Sequence, residues 1–87
     1  MEPERLRIFL AVARYGSFSE AARRLYISHS TVSRAVAALE EELGLPLVER
    51  SNRVQGLTKA GRALAAEAER LLAQIEEAAE RVRKEGE

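Results

Sequence analysis

Between Ser28 and Arg34 the chain sets four hydroxyls, one imidazole and one guanidinium into seven residues, SHSTVSR. Nucleophilic catalysis would need a base beside one of those hydroxyls and a third group to orient the base. His29 is the only histidine, and the segment holds no carboxylate. Without cysteine, an ordinary zinc site is excluded as well, and no glycine-rich phosphate loop is present. No enzyme and no cofactor are expected. Short hydroxyls and an arginine on one helix face suit a different task, which is contact with duplex DNA. Hydroxyls reach phosphates or base edges, and an arginine chelates guanine O6 and N7 or grips a phosphate.

That use requires a rigid frame around residues 28–34. Ser28 is a good N-cap, and Val32, Val36, Leu39 and Leu43 recur at helical spacing, so a helix starts there and ends at Gly44. Its opposite face carries Ser30, Ser33, Arg34 and Ala37. Just before it, Ser17-Phe18-Ser19-Glu20 is a capping box that opens a shorter helix with the stripe Phe18, Ala21, Ala22 and Leu25. Two short helices joined by a tight turn at Tyr26-Ile27 make a helix-turn-helix over residues 18–37. An earlier helix begins near Pro3, presents Leu6, Phe9, Leu10 and Ala13, and stops at Gly16. Beyond Gly44, Leu45–Val48 and Val54–Leu57 read as two short strands around a basic tip, a β-hairpin wing.

Thr58 caps a last helix, from Lys59 to about Lys84. Gly61, Leu64, Ala68, Leu71, Ile75, Ala78 and Val82 alternate three and four apart along it, and Leu72 and Ala79 widen the stripe. A single small domain offers nothing equally long to cover that seam. Pairing of two copies through Leu64, Ala68, Leu71, Leu72, Ile75, Ala78 and Val82 is the expectation. The whole is mainly α: a winged helix-turn-helix of three helices and a short hairpin over residues 1–58, then a linker or dimerisation helix over 59–87.

Charge supports the assignment only when it is resolved along the chain. The formal net charge is zero, yet residues 5–39 hold six arginines against Glu20 alone, and residues 40–49 hold four glutamates with no basic residue. Residues 50–62 are again purely basic, with Arg50, Arg53, Lys59 and Arg62. Phosphate binding depends on such local patches rather than on the total. No apolar run approaches the roughly 20 residues of a membrane span, and the start MEPERLR lacks the order of a secretory signal. A cytoplasmic protein is expected.

The blocks LRIFLAVARYGSFSEAARRL, ISHSTVSRAVAALEEELGLPLVER and LTKAGRAL, in this order, resemble the N-terminal DNA-binding domain of LysR-type transcriptional regulators across residues 4–64. The resemblance implies a prokaryotic regulator that binds an inverted-repeat operator as a homodimer, through the third helix in the major groove and the wing on backbone or minor groove. It also implies that the C-terminal effector-binding domain of such regulators is missing from a chain stopping at Glu87, and small-molecule sensing with it. His29, Ser30 and Ala35 depart from the family's frequent glutamine, proline and glutamine, and Val48 from its usual phenylalanine. The DNA-contacting set expected from residues and resemblance together is Ser28, His29, Ser30, Thr31, Ser33, Arg34, Arg50, Arg53 and Lys59. The competing class is a winged-helix module that binds a protein partner and no DNA.

Overall fold

A computed structural model describes residues 1–50 and 56–87. Its helices are α1 (Pro3–Tyr15), α2 (Phe18–Leu25), α3 (His29–Leu43) and α4 (Lys59–Glu85). Each start expected from a hydroxyl cap is built that way. Ser17 accepts from the Glu20 amide, Ser28 from the Thr31 amide and Thr58 from the Gly61 amide, each at 3.0 Å. Gly16 (φ 77°) and Gly44 (φ 71°) end α1 and α3 in the left-handed region, where a Cβ would be strained.

The core gathers Leu6, Phe9 and Val12 of α1, Ala21 and Ala22 of α2, Val32, Val36 and Leu39 of α3, Leu47 and Val48 after it, and Leu64 and Ala68 of α4. α1 is the central element and packs against all three other helices. This alters its expected stripe: Ile8 and Ala11 are buried, while Leu10 and Ala13 are half-buried. A helix covered from several sides buries more than one face, which a single 3.6-residue stripe does not capture. Ala21 and Ala22 are buried as expected, letting α2 approach its neighbours closely, whereas Leu25 and Leu43 at the ends of their stripes are exposed.

The expected wing is reduced, among the described residues, to one antiparallel bridge between Val48 and Leu57. The Glu49 amide donates to the Gly56 carbonyl at 2.8 Å and the Thr58 amide to the Leu47 carbonyl at 3.1 Å. Ser51, Asn52 and Arg53 of the expected tip lie outside the described residues.

α4 has 27 residues and is about 40 Å long at 1.5 Å per residue. α1, with 13 residues, spans only about half that length, so it covers the first half of α4 alone. Gly61, Leu64 and Ala68 are buried there, and Leu71 and Leu72 are partly buried against the same core. Of the expected pairing seam, Leu64 and Ala68 are buried in the chain's own core, Leu71 and Leu72 are half-buried, and Ile75, Ala78 and Val82 are exposed. The distal half of α4 projects from the domain, which gives the molecule extents of 53 × 26 × 18 Å.

Candidate nucleic-acid interface

The turn between α2 and α3 sets the direction of the reading helix. Tyr26 adopts φ 59°, ψ 41°, and its amide donates back to Ala22 and Arg23 carbonyls, closing α2. A non-glycine residue in this region carries strain of about 1 kcal/mol or more, held here by those two backbone bonds. The next amide, Ile27, donates to Ala22 at 3.0 Å, and its half-buried side chain packs against the core. Only after this double reversal does Ser28 start α3.

At the tip of α3 the hydroxyls are joined to one another. The Ser28 hydroxyl lies 2.8 Å from that of Thr31 and 3.2 Å from that of Ser30, while accepting from the Thr31 amide. Thr31 in turn meets the Arg34 guanidinium at 3.5 Å, a distance at the limit of a hydrogen bond. Ser28, Ser30, Thr31 and Arg34 thus form one connected surface. Ser28, His29, Ser30 and Arg34 are exposed, and Ser33 is half-buried on the same helix. Ala35 is different: it is buried and lines the junction of α3 with Ile8 of α1. Its departure from the family pattern falls on the packing side of α3 rather than on the reading face.

α2 carries an ion-paired cluster of its own. The Glu20 carboxylate turns forward to Arg23 (2.8 Å) and Arg24 (3.1 Å), instead of completing the capping box by reaching back to Ser17. Hydrogen bonds from Arg23 first and Arg24 second hold the Glu20 carboxyl below its ordinary range. Arg24 also stacks over the Tyr15 ring, 4.6 Å from its centroid.

Two contacts escape sequence reading. The first is Glu40, in the acidic run that ends α3. Its carboxylate accepts from the Leu47 amide at 2.8 Å and pairs with Arg50 at 3.1 Å, so the last turns of α3 hold the segment leading into the hairpin. Arg50, expected to touch DNA, is thereby committed at one guanidinium nitrogen to a partner in its own chain. Its neighbour Glu42 pairs with Arg5 and the N-terminal amine. The partners of Glu40 lie 7 and 10 residues away along the chain, beyond any helical spacing rule. The second is Phe18, whose ring centroid is 5.8 Å from that of His29, tilted by 42°. Lys59, the first residue of α4, is exposed. Arg53 lies outside the described residues. Taken together, the expected contact residues on α3 share one surface, Arg50 sits at the hairpin base and Lys59 at the start of α4.

The family model described as bacterial regulatory helix-turn-helix protein, lysR family, matches residues 3–62. An uncharacterized HTH-type transcriptional regulator of Azotobacter vinelandii is 46% identical over 77 residues, 88% of this chain and 54% of that protein. The HTH-type transcriptional regulator ClcR of Pseudomonas putida is 47% identical over 72 residues, covering 83% of this chain and 24% of ClcR. Among solved structures, the CbnR_DBD–DNA complex matches with TM-score 0.95 and 39% identity, covering 100% of both chains. The BenM_DBD/catB site 1 DNA complex matches with TM-score 0.91 and 36% identity, over 97% of this chain and 93% of that one. The chain thus spans between a quarter and about half of these two curated relatives. No helix among the described residues is long and apolar enough to cross a membrane.

Proposed function

This chain belongs to the LysR family of bacterial regulatory helix-turn-helix proteins, and on that premise we propose that it is a non-catalytic, sequence-specific DNA-binding regulator. It binds double-stranded operator DNA as a homodimer, with α3 in the major groove and the hairpin against backbone or minor groove, and it works in the cytoplasm. The observation that carries the reading is the α3 tip, where Ser28, Ser30, Thr31 and Arg34 form one exposed polar surface on a helix whose other face is buried. The full-length likeness to a domain solved with DNA supports it. In this reading Ser28, Thr31 and Lys59 position the protein on phosphates, and His29, Ser30, Ser33 and Arg34 face base edges. Arg53 is assigned to the minor groove and Arg50 to the base of the hairpin, where Glu40 sets its place.

A salt titration with duplex DNA carrying an inverted repeat tests the assignment. Each neutralised phosphate contributes a slope of about −0.9 in log K against log salt, so six contacts or more lower affinity by about a thousandfold between 50 and 200 mM salt. A flat titration would overturn DNA binding and favour the protein-partner module.

Two copies pair through the distal half of α4, where Ile75, Ala78 and Val82 are exposed, flanked by the half-buried Leu71, Leu72 and Ala79. Ile75→Glu is the informative variant, because Leu71 also packs against the chain's own core and a change there would mix folding with pairing. Ile75→Glu is expected to sediment as a monomer with its helical content retained; a variant that remains a dimer excludes this face.

A further inference from the structure

His29 is the first residue of α3 and Phe18 the first of α2, so the rings meet where the two helix starts come together. Phe18 is itself half-buried and packed against the core, which makes it a fixed support. Its contact limits an imidazole that already has only two side-chain torsions. The hydroxyls on either side, Ser28 and Ser30, bond to each other. His29 therefore stands at the leading end of α3 as an exposed, braced ring whose hydrogen-bonding edge is turned to no side chain among the described residues.

The chemistry of that edge differs from that of an amide. A glutamine or asparagine offers donor and acceptor side by side and so matches adenine N7 and N6–H₂. The two imidazole nitrogens lie on separate edges of the ring, and the neutral form carries one N–H. A ring held on one side addresses a base with one nitrogen at a time. Guanine presents two adjacent acceptors, N7 and O6, either of which receives a single N–H. For that N–H, adenine sets an opposing donor beside its N7, cytosine presents only a donor, and thymine crowds its single O4 acceptor with the C5-methyl. We propose that His29, braced on Phe18, selects guanine at the base pair facing the tip of α3. His29 is the specificity-determining residue there and Phe18 its positioning residue. The inference rests on the DNA-binding reading and adds to it the identity of one base.

Selection of bound sequences from random duplex DNA, run on the native chain, His29→Gln and Phe18→Leu, tests the assignment. The native chain should enrich guanine at one position of each half-site, and His29→Gln should move that position towards adenine while leaving the others unchanged. Phe18→Leu should flatten the preference at that position alone, a readout that general loosening of the fold would not confine to one base pair. Replacing the selected G·C pair by A·T should weaken native binding about 5-fold or more, the low end of the cost of one mismatched base pair. His29 is exposed, so its variant tests the base assignment even if Phe18→Leu fails to fold. Enriched sequences that are identical for native and His29→Gln chains would overturn the assignment while leaving DNA binding intact. No enrichment by any of the three chains would overturn both.

Discussion

Gly61→Ala should destabilise the domain by about 3 kcal/mol, against the roughly 5–15 kcal/mol that holds small domains folded. Local propensity predicts the opposite sign, since alanine is favoured over glycine inside a helix by about 1 kcal/mol. Packing decides the matter. A Cβ on Gly61 would stand 2.0 Å from the Leu47 carbonyl oxygen and 3.0 Å from its carbon, with the Leu57 Cβ at 3.3 Å on another side. The obstruction is backbone, which cannot rotate away as a side chain would. That same Leu47 carbonyl accepts from the Thr58 amide, and the Thr58 hydroxyl donates to the Pro46 carbonyl at 2.7 Å while capping Gly61. Moving α4 outward to admit a methyl group therefore strains the cap, the bridge and the Leu64 and Ala68 contacts together. A domain of this size loses about 4–8 °C of melting temperature per kcal/mol, so a drop of at least about 12 °C is expected in a thermal melt. A melting temperature equal to or above the native value would show that α4 does not meet the hairpin base this closely.

Gly61 also shows where sequence reading stopped. At three- and four-residue spacing it fell in register with Leu64 and Ala68, and the three read together as the start of a pairing seam. Periodicity identifies an apolar face but not what covers it, and α1 covers this part from within the same chain. The starts of α2, α3 and α4 and the ends of α1 and α3 were legible for a local reason. Ser17, Ser28 and Thr58 satisfy amides three residues ahead, and Gly16 and Gly44 accept positive φ, so each signal and its effect lie within one turn. The exposed face of α3 was legible because its apolar partners Val32, Val36 and Leu39 repeat cleanly. Glu40 was not, since its effect depends on where Leu47 and Arg50 return in space. Phe18 was expected as a core residue only, for the same reason: its contact with His29 forms across a turn. Tyr26 gave no warning of its left-handed conformation, which glycine or asparagine would have announced.

Arg34→Ala should leave the fold intact and remove the base preference at one position of each half-site. Arg34 is exposed, and its one side-chain bond among the described residues, to Thr31 at 3.5 Å, is too long to contribute much stability. A surface change of this kind shifts stability by no more than about 0.5 kcal/mol. On DNA, loss of an arginine bidentate to guanine costs about 1–3 kcal/mol for each half-site. A dimer carries the change twice at well-separated sites, where such effects add, so about 2–6 kcal/mol is expected for the complete operator. That corresponds to an affinity loss of roughly thirtyfold or more, because 1.4 kcal/mol is a factor of ten. The pattern of the loss separates two roles. A base reader loses discrimination at one position while the salt slope barely changes, whereas a phosphate contact weakens all sequences alike and lowers the slope by about one. Arg34→Lys sharpens the comparison, since an ammonium keeps the charge but not the planar fork. If Arg34 reads guanine, the lysine variant should restore general affinity without restoring the base preference. Equal recovery of both would assign Arg34 to the phosphate backbone and leave Ser30, Ser33 and His29 to supply the discrimination.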